Sequence, residues 1–397
     1  MFDKLRMTGD LVPITGTDPV SGSWEHLAFA AHPLPDEEPS LSGATYRQIS
    51  RARAALATLD STARQLRNPS LLRRPVLRRE AQSTSALEGT YAPLSEVLSG
   101  DENAPATADL REIFNYVLMA DQAFAWLADG RPVTTGLLTD LQGVLVRGTS
   151  SARRWPGELR GDQVVVGRRP DAPANEIPVR AARFVPTPPG QDLEARVRDL
   201  VAWLGRDHHD QIDPVVAAAM VHYQFETLHP FFDGNGRVGR LLIVMQLLLS
   251  GVLGEPTLTV SPWFEARRGE YDDRLLGVST RGDWDRWVAF FGAGLEAAAV
   301  DTHRQMTQLL DVREELLGRI ASSNLRSANA IKLVDLAMST SSFTVRQAQA
   351  DLDVTYARAN KLVAQLVELE VLAPVDQAAA YGRRFHAPAA TAVLLGA

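Results

Sequence analysis

His229-Pro230-Phe231-Phe232-Asp233-Gly234-Asn235-Gly236-Arg237-Val238-Gly239-Arg240 is the stretch on which the reading of this chain turns. It sets a candidate base (His229), a hard-metal carboxylate (Asp233), a glycine-lined anion cradle (Gly234, Asn235, Gly236) and two guanidinium groups (Arg237, Arg240) within one turn and the start of one helix. Pro230 fixes the backbone beside His229. The glycines let backbone N–H groups approach a phosphate closely, and the first N–H groups of the following helix add positive potential at the same place. Arg237 and Arg240, three apart on that helix, share a face, and their forks suit phosphate oxygens. Mg²⁺ takes one or two protein carboxylates plus substrate phosphates, which is the role open to Asp233. These are the parts a nucleotidyl transfer needs. Glycines that merely turn the chain would not gather all these residue types at functional spacing.

Working outward, a helix is expected over 213–228, with Asp213 at its N-cap, Pro214 at the first helical position and Val216, Met220 and Tyr223 on its buried face. The helix after the loop runs from about Gly236 to Ser250. Its apolar run, Leu241 to Leu253, is too short to span a bilayer and reads as buried core. Apolar spacing predicts further helices over 44–66, 78–87 (ending near Gly89), 110–127, 135–146, 193–204, 284–295 and 301–320. Asn68-Pro69 breaks the first of these. Residues 1 to about 40, rich in Pro, Gly, Ser and Asp, read as an irregular lead-in. Gln163 to Gly167 and Arg183 to Pro186 read as a β-hairpin, the only strand signal in the first 300 residues. The end of the chain reads as a winged helix-turn-helix: helices over 328–338, 344–351 and 355–370, then two short strands at 371–374 and 383–386.

At 397 residues the chain has room for two or three domains. Forty-one basic against 48 acidic residues leave a formal charge of -7, which argues against a coat for nucleic acid or an anionic membrane. The absence of cysteine excludes disulfides, thiolate zinc sites and a cysteine nucleophile. Met1 to Arg6 lacks a signal-peptide core, so a soluble cytoplasmic protein without a membrane partner is expected.

The stretch from His229 to Arg240 resembles the signature of the Fic (filamentation-induced-by-cAMP) family, His-Pro-Phe-x-x-Gly-Asn-Gly-Arg-x-x-Arg, at every fixed position. The resemblance implies a mainly α protein: a Fic-type helical bundle with a β-hairpin flap, followed by a winged helix. Domains are expected at 1–109 (with an inhibitory helix at about 78–89), 110–300 (the Fic domain) and 301–397 (linker helix and winged helix). It implies transfer of AMP from ATP, with Mg²⁺, to a Ser, Thr or Tyr hydroxyl of a target protein. His229 would be the general base. Asp233 would hold Mg²⁺ against the α- and β-phosphates, and the Gly234-Asn235-Gly236 backbone would cradle phosphate oxygens. Arg237 would stabilise the leaving pyrophosphate, and Arg240 would clamp the γ-phosphate. Gly236, where the related Doc-type kinases carry lysine, favours nucleotidyl over phosphoryl transfer.

Thr84, Glu88 and Gly89 resemble the family's inhibitory motif, which implies that Glu88 pairs with Arg240 and obstructs the γ-phosphate. In some relatives this glutamate also assists AMP removal. Arg154 to Arg160 and the hairpin after it resemble the flap that docks the target by strand pairing, with Val164, Val165, Val166 and Gly167 as backbone contacts. Trp263 to Leu276 resembles the adenine-pocket segment. Tyr271, Asp272 and Ser279 stand at its contact positions, where relatives carry a second tyrosine and an asparagine or arginine.

Other features read more plainly. His208-His209-Asp210 is a solvated loop rather than a metal cluster, His222 is packed in the core, and arginines 64, 67, 73, 74, 78 and 79 form solvated helix faces. Oligomerisation tunes the family, but nothing in the sequence locates an interface. DNA contact through the winged helix has only Arg358 and Lys361 to offer phosphates. Two competing readings are a DNA-binding regulator whose Fic site only senses a nucleotide, and a transferase using another nucleotide donor.

Overall fold

A computed structural model describes residues 3, 6–19, 22–65, 70–325, 327–376 and 382–396. In chain order the elements are β1 (Gly9–Asp18), β2 (Gly22–Ala31), α1 (Gly43–Gln65), α2 (Ser70–Leu87), α3 (Leu94–Ser99), α4 (Ala108–Ala128) and α5 (Thr135–Val146). There follow β3 (Val166–Arg168), α6 (Pro178–Ala181), β4 (Ala182–Phe184), α7 (Gln191–Leu204), α8 (Pro214–Leu228), α9 (Asn235–Leu249), α10 (Ser261–Glu265), α11 (Arg268–Arg281) and α12 (Trp284–Ala321). The chain closes with α13 (Ala328–Thr340), β5 (Phe343–Thr344), α14 (Val345–Leu352), α15 (Tyr356–Glu368), β6 (Ala373–Pro374), β7 (Arg384–His386) and α16 (Pro388–Leu395). The fold is mainly α, as expected. It divides into two compact units: residues 1–54, 118–253 and 263–296 form the first, and 55–117, 254–262 and 297–397 the second.

In the first unit, α8 and α9 form the buried centre. Nearly every residue of both is inaccessible, so neither helix needs a polar face. Asp213 caps α8 by accepting from the Val215 N–H at 2.8 Å, and Pro214 occupies the first helical position. The flap is a short antiparallel pair in which Val166 faces Phe184 and Arg168 faces Ala182. It is shorter than the Gln163–Gly167 strand expected, because the Gln163 amide donates at 3.0 Å to both Val164 O and Pro186 O. A side chain there takes the place of the ladder.

The expected irregular lead-in is instead a long hairpin, β1 on β2, registered from Gly9 opposite Ala31 to Asp18 opposite Gly22. Pro13 and the glycines argued for a loop. In a two-stranded sheet, however, each strand keeps an open edge, where proline's missing N–H costs nothing. Glycine at 16 has a steric reason: a Cβ there would overlap the Trp24 ring. Val12, Ile14 and Trp24 pack on a small core of Ala28, Ile177, Val179, Ala182 and Val185, which joins this hairpin to the flap.

In the second unit α13 lies along α2. β5, β7 and β6 form an antiparallel sheet in that order beside α13, α14 and α15, the order of elements expected of a winged helix-turn-helix. Residues 377–381, between the two wing strands, lie outside the described residues. Thr344 caps α14 in a capping box with Gln347. The basic run is only partly a solvated face: the Arg64 and Arg74 side chains are 61 % and 41 % exposed, but Arg78 is buried. Arg78 is 3 % exposed and shares Glu102 with Arg74, while Arg64 and Arg79 pair with Asp60 and Asp301. Arg67 lies outside the described residues.

Helices expected separately at 284–295 and 301–320 are one element, α12. Glu296-Ala-Ala-Ala-Val300 contains no breaker, and alanine is the best helix former. α2 begins earlier than expected, at Ser70, and continues through Pro75. Asn68-Pro69, the expected break, falls outside the described residues. No described helix is long and apolar enough to cross a membrane.

Candidate active site

The loop between α8 and α9 is held from several directions, all within the first unit. His229 ends α8 in the left-handed region (φ 49°, ψ 59°), its N–H returning to Phe225 O at 3.0 Å. A branchless glycine would be the ordinary choice there. Histidine is tolerated because its carbonyl is fixed from outside: Arg160 Nε donates to it at 2.8 Å. The Arg160 guanidinium also donates to Asp162 O (3.0 Å), Leu228 O (3.4 Å) and Thr187 O, and its backbone N–H to Pro230 O at 2.9 Å. It is 1 % exposed, and burial pushes it down to about 10, still cationic at neutral pH. A buried cation thus sits against the carbonyl end of α8, where the helix dipole favours it. His229 Nδ1 lies 3.3 Å from Glu226 O. A carbonyl only accepts, so Nδ1 carries the proton and Nε2 is the basic nitrogen.

The next four residues are locked by Asn235. Its side-chain amide accepts from Phe231 N–H and donates to Phe231 O, each at 2.8 Å, and the residue is 2 % exposed. Asn235 therefore contributes its backbone to the cradle and spends its side chain on shaping it. Gly234 is left-handed (φ 86°), and a Cβ there would stand 2.7 Å from Leu145 Cδ2 on α5. Both facts demand glycine. No side chain caps α9, so its first turn presents backbone N–H groups toward the loop. Arg237 and Arg240 are each 2 % exposed on this helix.

Asp233 accepts from Gly234 N–H at 2.6 Å, from Arg237 Nη2 at 3.3 Å and from Ser151 Oγ. Its side chain is 36 % exposed, so an oxygen remains accessible to a hard cation. Among the described residues no three carboxylate or histidine side chains gather as a metal cage. Asp233 therefore fits Mg²⁺ in the manner of sites that use one carboxylate and complete the shell with substrate phosphates. Gln142 braces the loop from below, donating to Asp233 O at 3.1 Å and accepting from Gly157 N–H at 2.6 Å.

His222 couples the two helices. Nδ1 donates to Gly239 O at 2.9 Å, and Tyr271 O–H donates to Nε2 at 2.7 Å. Phe264, Trp287 and Phe291 surround the ring. It is the core histidine expected, and burial drives its pKa to about 3 from 6.5. The unfolded chain takes up a proton that the folded chain refuses, so stability is full above pH 6.5 and falls as pH drops toward 3, by about 1.4 kcal/mol per unit. The urea midpoint of the wild type is expected to fall more steeply than that of His222→Phe between about pH 6.5 and 4.5. Parallel curves would show that His222 does not titrate this way.

Tyr271 and Ser279 turn inward: Tyr271 is 5 % exposed, and Ser279 Oγ bonds Tyr223 O–H at 3.0 Å. Asp272 is exposed on α11. Of the flap residues, Val164, Val165 and Val166 are partly buried and Gly167 is exposed. Thr84 is buried in α2, and exposed Glu88 follows the end of α2, where Gly89 is left-handed (φ 93°). All three belong to the second unit. His208 stacks on Trp203 at 3.9 Å and donates from Nε2 to its carbonyl, a packing role rather than a solvated one.

Sequence reading missed Arg160, Gln142 and Ser151, which hold the loop from 69, 91 and 82 residues away. Arg160→Ala is expected to strand buried carbonyls at about 1–3 kcal/mol each and to depress turnover through a displaced His229. Chemical denaturation and kcat would both register it. An unchanged kcat in a folded variant would remove Arg160 from this role.

This geometry sets a fixed imidazole beside an uncapped helix N-terminus that carries buried guanidinium groups, an arrangement suited to an anion. Residues 132–247 match the family model described as Fic/DOC family, and residues 46–125 match Fic/DOC family N-terminal. The chain belongs to the Fic family. It is 37 % identical over 95 residues to the protein adenylyltransferase fic-1 of Caenorhabditis elegans, covering 24 % of this chain and 16 % of that protein. It is 29 % identical over 172 residues to the protein adenylyltransferase Fic of Drosophila melanogaster, covering 42 % of this chain and 30 % of that one. The chain thus spans less than a third of these relatives. A Fic family protein from Desulfovibrio desulfuricans G20 superposes with a TM-score of 0.54 at 20 % identity, covering 88 % of this chain and 98 % of that one, which shows a shared fold.

Proposed function

We propose that this chain is an Mg²⁺- and ATP-dependent protein adenylyltransferase, restrained by its own Glu88. The observation that carries the reading is the His229–Arg240 loop. A base is fixed at its start and an anion-binding helix terminus at its end, and the loop is braced so firmly that little reorganisation remains for the reaction. His229 Nε2 takes the proton of the target hydroxyl. The hydroxyl oxygen bonds to the α-phosphorus of ATP, the bond from that phosphorus to the bridging oxygen breaks, and pyrophosphate leaves. Arg237 offsets charge on the pyrophosphate, and Arg240 holds the γ-phosphate. Bound at Asp233, Mg²⁺ supplies neutralisation of the α- and β-phosphates.

The brake is supported by the Thr84–Glu88–Gly89 pattern and by the position of Glu88 at the carbonyl end of α2. A carboxylate there works against the helix dipole, so stability of the helix does not explain it. In the proposed resting state Glu88 engages Arg240, and ATP competes for that guanidinium.

The test is transfer of α-phosphate-labelled ATP to protein, with Mg²⁺, by wild type, Glu88→Gly and Glu88→Gly/His229→Ala. Labelling confined to Glu88→Gly supports both the transferase and the brake. Absence of label in all three, with ATP binding intact, would favour a nucleotide sensor or another donor.

A further inference from the structure

In the first unit α4, α7 and α9 end close together, and the start of α8 closes a cleft of about 450 Å³ between them. That volume lies in the range of small-molecule pockets. The floor is apolar. Val133, Leu204, Ile212 and Ala217 are buried there, and Leu249, the last residue of α9, is left 43 % exposed at the rim. The signature loop stands at the opposite end of α9, so nothing in the transfer chemistry uses this space.

One side chain breaks the apolar lining. From Leu241 to Leu249 every residue is apolar except Gln246. Gln246 faces the cleft and is 6 % exposed, and its Oε1 is buried with no hydrogen-bond partner among the described residues. An apolar side chain of similar size would fill the place more cheaply, because a buried acceptor without a donor has lost its water and gained nothing. Local conflicts of this kind concentrate at functional positions. The other polar groups of the wall are engaged: His208 stacks on Trp203 and bonds its carbonyl, and Ser250 Oγ donates to Leu247 O at 3.3 Å. The glutamine amide carries an acceptor and a donor side by side, and its terminal torsion is soft, so either end turns readily to an occupant.

Charge does not select the occupant. Three helix dipoles put their negative ends at the cleft, which disfavours an anion. The rim cations are occupied: Arg206 pairs with Asp36 at 2.9 Å, and Arg131 lies over the Trp126 ring, 3.2 Å from its centroid. Asp207, the carboxylate on the rim, accepts from His209 N–H at 3.0 Å. We propose that this cleft binds a small, uncharged aromatic molecule with an amide edge, either a primary amide or a lactam. Its N–H donates to Gln246 Oε1, its carbonyl accepts from Nε2, and its ring covers the apolar floor and Leu249. The site is independent of the transferase reading.

The experiment titrates the full chain with benzamide, 2-pyridone, N,N-dimethylbenzamide, benzoate and benzylamine. Binding is read by ligand-observed NMR and unfolding by calorimetry. Benzamide or 2-pyridone is expected to bind at least about fivefold more tightly than the other three, the net worth of a hydrogen bond. Which of the two leads separates a primary amide from a lactam. Gln246→Met, close in volume, should erase this preference and raise the Tm of the unliganded chain, because the orphaned acceptor is gone. Leu249→Arg, at the exposed rim, should weaken binding of both amides; if Gln246→Met does not fold, this variant decides. Leu118→Arg, at a comparably exposed position of α4 outside the cleft lining, should change nothing. Absence of binding, equal binding of all five compounds, or a preference that survives Gln246→Met or Leu249→Arg overturns the proposal. So does a lower Tm in unliganded Gln246→Met, which would mean that enclosed water already satisfies the amide.

Discussion

His229→Ala is expected to cut AMP transfer by about 10²–10⁴-fold, the usual worth of a positioned general base. The loss should fall on kcat. The phosphate-binding parts of the loop are held independently of the imidazole: Asn235 by Phe231, Gly234 against Leu145, and the His229 carbonyl by Arg160. Alanine keeps that carbonyl and loses only the ring. Calorimetric ATP affinity should therefore stay within about twofold of wild type, an interaction energy below about 0.5 kcal/mol. A matching fall in ATP affinity would mean that the ring binds nucleotide rather than moving a proton.

Glu88→Gly is expected to raise label transfer by at least about fivefold. Glu88 is exposed, so an ion pair made there is worth at most about 1 kcal/mol. The pair alone accounts for up to about fivefold, and relief of the obstructed γ-phosphate takes the gain beyond it. Gly89 already terminates α2 in the left-handed region, so the substitution removes no cap. Stability should be unchanged or slightly raised, because a carboxylate leaves the carbonyl end of the helix. High activity in the wild type, unmoved by the substitution, would remove the brake from the reading.

What could be read from sequence was whatever is local. α5 falls at its expected bounds, α8 has its expected cap, and the winged helix follows turn and capping chemistry written within a few residues. The loop itself was legible because its glycines, base and guanidinium groups are contiguous. Two kinds of feature escaped. The β1–β2 hairpin carries Pro13 and Gly16, which argue for a loop until a partner strand with an open edge and a tryptophan ring is in place. Arg160, Gln142 and Ser151 act on backbone or side-chain atoms dozens of residues away, and no spacing rule reports such a contact. Arg78 was misjudged for the same reason, since its burial depends on Glu102.

The Asp101–Glu102 turn receives Arg384 from the wing on one side and Arg74 and Arg78 from α2 on the other. Ser342 also donates to Ser99 O, and α13 runs along α2. The winged helix is therefore no detachable tag but part of the same hydrogen-bonded body as the helix that bears Thr84 and precedes Glu88. In the language of linkage, a ligand that prefers one arrangement of this body shifts α2 by the same free energy with which α2 shifts that ligand. Such an exchange needs no messenger through the signature loop, and it would let the C-terminal seventy-odd residues set the threshold of the proposed transferase.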